Sequence, residues 1–352
     1  MNETVRIEAI GSVPDARTRA LDNIFTWMEP HNLEGKRILV LLGDDPVEED
    51  LLERAIQSLS GASHLDLAAR SLAGYSEKRR AAIRRLLDKK GDLIELVSGE
   101  FESLDVPVRT HAREVRSMQV QDRRYLRKVL LARPLVEADL FVVLRRLEVN
   151  RFSGVHGVSA TILDCVPTKT RAEVLTYASY DLMGEALLDI WAVIPGLFLF
   201  AVFDGEHVRE ETLGITGETG VLIAGIDPEA LDGYALIASG NRISFSPFGA
   251  SVTAHGGDRR HSRSQEFSSN ISLEEVRQRV PPGMISKPPS RGLLRRSPVI
   301  VFDGRPTDFD TLICPTGALE EGSAGVPCVC RSACVGCRWC LKAYREASIR
   351  SG

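Results

Sequence analysis

Two hydrophobic periods take turns along the first two thirds of the chain, and their alternation predicts a parallel α/β sheet. Residues 36–42, Lys-Arg-Ile-Leu-Val-Leu-Leu, form an apolar run that reads as a strand buried on both faces, leaving through Gly43-Asp44-Asp45. Pro46 then opens a helix whose Leu51, Leu52, Ala55, Ile56 and Leu59 share one face, with Gly61 as its stop. Residues 65–69 read as a short strand, residues 76–90 as a basic helix with Ala82, Ile83, Leu86 and Leu87 on its buried stripe, and residues 92–97 as a further strand. A strand that feeds a helix through a tight turn, repeated in this way, is the signature of a mostly parallel sheet flanked by helices. The helix opened by Pro46 suggests an anion site, because helix amino ends attract negative charge. Asp44, Asp45, Glu48, Glu49 and Asp50 crowd that end, however, and are expected to be caps and dipole partners.

Further on, residues 196–204, Gly-Leu-Phe-Leu-Phe-Ala-Val-Phe-Asp, are an unbroken apolar run ending in an acid, as a central parallel strand would be. Open α/β sheets place ligands at the carboxyl ends of such strands. Asp204, with Glu206 and His207 just beyond it, is therefore the candidate polar site of the body, and Asp204 and His207 are the candidate catalytic pair. The alternative is that Asp204 caps the next turn. Gly214, Gly217 and Gly220 mark a turn-rich loop and no nucleotide fingerprint, because a strand at 221–224 comes where a helix would be needed.

Past Gly240 the composition changes. Residues 241–298 are rich in Ser, Gly, Arg and Pro, with only residues 271–280 patterned as a helix, and read as an irregular basic connection over the body. Between Asp258 and Arg296 they carry nine Lys or Arg against four acids, a solvated linker or a strip that receives an anionic cosubstrate or acidic redox partner. Residues 297–302 are apolar enough for an edge strand that seats the cysteine-bearing end of the chain. Three parts result: an α/β body (1–240), the connection (241–298) and a cysteine-bearing tail (299–352).

Six of the seven cysteines lie in that tail: Cys314, Cys328, Cys330, Cys334, Cys337 and Cys340. In two-cluster bacterial ferredoxins each motif reads C-x2-C-x2-C-x3-C-P, and the fourth cysteine of one motif ligates the cluster of the other. Here the second motif keeps Cys334, Cys337 and Cys340 but has Tyr344 in the fourth place. The first keeps Cys314-Pro315 but has Gly304, Thr307 and Asp310 where its other cysteines would fall. In the crossed arrangement Cys314, Cys334, Cys337 and Cys340 are one complete ligand set and the other set is wholly lost, which predicts a single 4Fe-4S cluster, shielded in part by Val335 and Trp339. A structural zinc would leave the Cys-Pro-Thr-Gly-Ala stretch without a role. Disulfides do not suit a long chain with one cysteine, Cys165, in its first 313 residues. Cys330, Cys334 and Cys337 also spell C-x3-C-x2-C, the signature of radical S-adenosylmethionine enzymes. Here that motif closes the chain, with Gly336 where an aromatic residue is usual, a glycine that suits a ferredoxin Cys-x-Gly-Cys turn.

The body also carries a loose resemblance in ordered pieces: residues 130–144, residues 145–161 from Arg145 through Gly154-Val-His-Gly-Val-Ser-Ala-Thr161, Asp189-Ile-Trp-Ala-Val-Ile-Pro195, the strand ending at Asp204, and residues 220–232 through Asp227-Pro-Glu-Ala-Leu-Asp232. This resembles the family catalogued as domain of unknown function 362, whose members often carry ferredoxin cysteines at the carboxyl end, and it covers about residues 35–240 plus the tail. Where that family tends to have Lys-x-Lys-x-His, this chain has Arg146-Leu-Glu148-Val-Asn150, and where a Lys-Asn pair is expected it has Thr161-Ile162. If those residues bind an anion in relatives, the resemblance implies that this chain has lost or changed that ligand. His156 is close enough to substitute, although a lone loop histidine is more often surface than site.

A formal net charge of -4 gives no general attraction to nucleic acid or anionic membrane. The amino terminus is too polar for a signal peptide and no apolar run approaches the roughly 18 residues of a membrane span, so cytoplasmic residence with reduced thiols is expected. The functional expectation is an iron-sulfur redox protein that gives single electrons to a small-molecule substrate or a partner protein. Two other readings stay open: a radical S-adenosylmethionine enzyme using Cys330, Cys334 and Cys337, such as an epimerase or C-H activating catalyst, and a scaffold with a vestigial cluster.

Overall fold

The structure is a computed structural model. It describes residues 3–11, 15–28, 32–43, 45–70, 72, 74–88, 90–96, 101–104, 126, 129–150, 154–155, 157–167, 170–171, 174, 180–210, 215–239, 266–279, 299–304, 306, 318–322, 325–330, 340 and 347–350. In chain order the elements are β1 (Glu3–Ala9), α1 (Ala16–Met28), β2 (Arg37–Leu42), α2 (Glu49–Ser58), β3 (His64–Ala69), α3 (Glu77–Leu87), β4 (Leu93–Glu95), β5 (Phe101–Leu104), β6 (Val129–Ala132), α4 (Arg133–Glu137) and β7 (Leu140–Asn150). Then come β8 (Gly154–Val155), α5 (Val158–Ile162) with a 3-10 turn at Leu163–Cys165, α6 (Tyr180–Val193), β9 (Leu197–Glu210), β10 (Ile215–Gly217), β11 (Val221–Gly225), α7 (Pro228–Ala238), β12 (Glu266–Ser269), α8 (Leu273–Arg279), β13 (Val299–Phe302), β14 (Leu319–Glu321), β15 (Pro327–Val329) and β16 (Ala347–Arg350).

The body is a mixed α/β layer structure around one sheet in the order β12-β1-β11-β9-β7-β2-β3-β4. Along that path only β11 runs against the rest, pairing antiparallel with β1 and β9; the short β8 and β10 fold back on β7 and β9. Why the strand sequences read as continuous apolar runs is visible residue by residue. In β2, Ile38, Val40 and Leu42 join the core under α1, α2 and α3, whereas Leu39 and Leu41 join the core under α5, α6 and α7. The period of two sorts β9 the same way, Phe200 and Val202 to the first core, Ala201 and Phe203 to the second. This parity also decides where the charges at the strand ends go.

Most expected elements of the body appear with shifted ends. The second helix begins at Glu49, three residues after Pro46, and the strand expected at residues 92–97 pairs with β3 over Leu93–Glu95. Ser76 caps α3 by accepting from the Arg79 amide, and Asp88 ends it in a left-handed conformation. Three features depart from the sequence reading. Strand β9 does not stop at Asp204: the hairpin to β10 gives Val208, Arg209 and Glu210 ladder partners and carries the strand to Glu210. Of the three glycines, Gly217 lies on that hairpin's return strand, Gly220 has a φ of 61° that suits glycine, and Gly214 lies outside the described residues. In the connection after Gly240 the helix expected at 271–280 forms as α8 and packs Val276 into the core, but Glu266–Ser269 is strand β12, paired in parallel with β1.

In the tail, β13 pairs antiparallel with β16, and β14 pairs antiparallel with β15. Each half of the cysteine segment thus runs from a strand to a strand, β13 to β14 around 304–315 and β15 to β16 around 334–344, with outer strands joined to each other and inner strands joined to each other.

Candidate functional site

Parity sends the neighbours Arg145 and Arg146 on β7 to opposite faces of the sheet. Arg145, on the α5 side, is 1% exposed and is the largest fully buried side chain described. Its Nη1 donates to Asp164 Oδ2 at 2.9 Å and to Thr161 Oγ1 at 3.2 Å, and its Nη2 donates to Glu148 Oε2 at 3.3 Å. Asp164 also faces Arg171 Nη2 at 3.3 Å and Arg70 Nε at 3.9 Å. Arg171 is anchored in turn by donating from Nε to the Leu163 carbonyl at 2.8 Å. Glu148 and Thr161, two of the positions at which the chain departs from the family pattern, therefore meet in one buried polar cluster rather than lying apart.

The cluster stands at the carboxyl ends of β2 and β3, level with the middle of β7. From β2 the strand order runs to β3 on one side and to β7 on the other, so the crevice between β2 and β7 is the switch point at which open α/β sheets bind ligands. Gly43, at the end of β2, donates its amide to the Leu144 carbonyl, and its own carbonyl accepts from the Tyr75 hydroxyl at 2.7 Å. Behind Asp164 lies Cys165, fully buried; burial, reinforced by the Asp164 charge, pushes its thiol well above the ordinary cysteine range. It is an inert core thiol, neutral at physiological pH.

The floor of this cluster is α5, and its start is fixed by a carboxylate from another helix. Asp232 on α7 accepts from the Val158 amide at 2.7 Å, the Ser159 amide at 3.0 Å and the Ser159 hydroxyl. The two segments joined here, 157–161 and 227–232, both belong to the stretches singled out in the sequence.

On the opposite face Arg146 pairs with Glu48 at 2.5 Å. Arg17 of α1 holds three carboxylates: Asp50 on α2 (2.7 and 3.0 Å), Asp204 (2.7 and 3.2 Å) and Glu206 (2.7 Å). Burial works against the Arg17 charge, but hydrogen bonds to Asp204 and Asp50 and their charges outweigh it and hold its pKa above the ordinary arginine value. Glu48 and Asp50 are thus held by Arg146 of β7 and Arg17 of the neighbouring helix α1, and Glu48, the residue before α2, makes no side-chain cap. Asp44 lies outside the described residues.

Asp204 is consequently not at a strand end. It is buried in mid-β9 and committed to Arg17, while His207 is exposed with Nδ1 3.7 Å from Glu218. Among the described residues no hydrogen bond or ion pair joins Asp204 to His207. We expect His207→Gln to change unfolding free energy by less than about 0.5 kcal/mol, as for an exposed surface position; urea denaturation checks this. His156 lies outside the described residues.

Of the cluster ligands read from the sequence, Cys340 is described and buried; Cys314, Cys334 and Cys337 lie outside the described residues. Cys328 is exposed on β15 opposite Glu320, and Cys330 extends the hairpin by donating its amide to the Ala318 carbonyl at 2.7 Å. Among the described residues no three metal-ligating side chains converge, and no helix is long and apolar enough to cross a membrane.

Comparison with known proteins bears on the body. Residues 99–236 match the family described as Domain of unknown function (DUF362). The match runs from β5 into α7 and so takes in Arg145, Glu148, Gly157, Asp164, Arg171, Asp204 and Asp232. Outside it fall β1 to β4 with Arg17 and Arg70, and the whole cysteine tail. No curated protein matches the chain. Among solved structures, the lactate racemase apoprotein from Thermoanaerobacterium thermosaccharolyticum aligns at 15% identity with a TM-score of 0.41. The alignment covers 67% of this chain, and this chain spans 57% of that protein's length.

Proposed function

We propose that the chain is a redox protein of a reducing compartment such as the cytoplasm, carrying one 4Fe-4S cluster and passing single electrons to a small substrate or a partner protein at the α/β body. Cys314, Cys334, Cys337 and Cys340 would hold the cluster, and a bound 4Fe-4S cluster supplies one-electron transfer at a potential tuned by its surroundings. The observation that carries this reading is the strand pairing of the tail. A crossed ligand set needs residue 314 of the first half beside residues 334, 337 and 340 of the second. Joining β13 to β16 and β14 to β15 closes both halves at their ends and brings the start and finish of the segment together. The burial of Cys340 fits a thiolate kept from water, and Cys330 is bound into the hairpin ladder at the Ala318 carbonyl.

Two single substitutions separate the ferredoxin-like set from the three-cysteine set that would admit S-adenosylmethionine. Under our reading Cys314→Ser abolishes the brown absorbance of anaerobically purified protein and Cys330→Ser leaves it. The opposite result, with reductive cleavage of S-adenosylmethionine by the wild type, would establish the radical enzyme instead.

A further inference from the structure

We propose that Arg70, Arg145 and Arg171 form a binding site for a small carboxylate, a site whose place is held by the chain's own Asp164. The three arginines come from separate segments, immediately after β3, within β7 and beyond the 3-10 turn, yet all face one carboxylate. Asp164 Oδ2 accepts from Arg145 at 2.9 Å, while Oδ1 stands 3.3 Å from Arg171 and 3.9 Å from Arg70. Side-chain exposure is 7% or less at all four residues. The planar guanidinium fork matches a carboxylate in shape and charge, so three forks around one carboxylate amount to a recognition geometry.

Position supports the same conclusion. The cradle lies at the β2/β7 switch point, where this class of sheet receives its ligands. The backbone of β2 packs closely against it at Gly43: a Cβ there would stand 3.3 Å from both Arg145 Nε and the Asp45 carbonyl oxygen, tighter than ordinary contact, so glycine lets the strand and the guanidinium lie this near. Asp164 sits on the one-turn segment Leu163–Cys165, beyond the start of α5 that Asp232 fixes. Its carboxylate leaves the cradle by a rearrangement within that turn, and an incoming carboxylate takes over the contacts with Arg145, Arg171 and Arg70. No step of this exchange involves the cysteine tail, so it stands or falls separately from the iron-sulfur reading.

The test uses the full chain, with acetate and formate as probes against chloride and inorganic phosphate at matched ionic strength, read by thermal unfolding and by isothermal titration. In Asp164→Ala, and in the isosteric Asp164→Asn should the first fail to fold, acetate and formate raise Tm saturably and bind at least about tenfold more tightly than to the wild type, because the internal competitor is gone. Adding Arg171→Lys to the Asp164 variant weakens acetate by about tenfold, as loss of one planar fork should. Chloride reproduces none of this. The proposal is overturned if acetate binding is unchanged by the Asp164 substitution or if chloride stabilises equally. Phosphate binding more tightly than either carboxylate overturns the ligand class.

Discussion

Gly157→Ala is expected to destabilise the chain by about 3–5 kcal/mol, combining an overpacking cost of about 1–3 kcal/mol with the weakening of the charge-assisted hydrogen bonds to Asp232. The backbone itself does not demand glycine, since φ at Gly157 is -90°. The demand comes from across the interface. A Cβ on residue 157 would fall well inside contact distance of Asp232 Oδ1 and 2.9 Å from Oδ2, the oxygens that accept from Val158 and Ser159. To admit the methyl group Asp232 must withdraw from the start of α5, leaving two buried amides to find other acceptors. The cause makes the effect conditional. In an Asp232→Ala background, itself destabilised, the added Gly157→Ala should cost less than about 1 kcal/mol, a strong departure from additivity. Equal costs in both backgrounds, measured by urea unfolding, would show that Asp232 is not what glycine accommodates.

The second large effect is expected at Arg145. Arg145→Met keeps much of the side chain's volume but removes the guanidinium that faces both Asp164 and Glu148, and breaking a buried ion pair by removing one partner costs about 3–5 kcal/mol. The loss should be shared between Asp164, which also faces Arg171 and Arg70, and Glu148. The double variant Arg145→Met/Glu148→Met is therefore expected to recover roughly half of the loss or more, as when a buried pair is replaced whole by apolar groups. A double variant as unstable as the sum of its parts would show that the two side chains do not act together.

How far the body was legible depends on which forces set each feature. Strands β2 and β9 announced themselves through the apolar runs that burial on both faces produces at 38–42 and 200–203, and β3 was readable although it buries Asp66 among Leu65, Leu67, Ala68 and Ala69. Strand β1 carried a fainter signal, the alternation of Val5 and Ile7 with Arg6 and Glu8. Glu8 itself is buried, held by Arg6 and Asn270, so the polar half of that pattern is not the solvent half. The far end of β9 was not legible, because residues beyond Asp204 are strand only by virtue of the ladder that β10 offers them. The acids before α2 illustrate a different failure: local sequence suggests helix capping, whereas Arg17 and Arg146, distant in sequence, claim Glu48 and Asp50.

The arginine cradle was the least visible feature. Arg70, Arg145, Asp164 and Arg171 each look like an ordinary charge until the sheet order brings β3, β7 and α5 together. One hint existed: Arg145 directly extends the apolar run of residues 140–144, where a charge must be either exposed or paired in the core. Cysteine spacing, by contrast, carries its chemistry locally, so the tail could be read before its strands were known.

Iron and acid-labile sulfide analysis of the anaerobically purified chain, with electron paramagnetic resonance of the reduced sample, tests the four-cysteine cluster most directly. About four iron and four sulfide per chain, with a reduced-cluster signal that disappears in Cys314→Ser, is the predicted result. Stoichiometric zinc in place of iron, or a full complement of iron and sulfide surviving in Cys314→Ser, would contradict it.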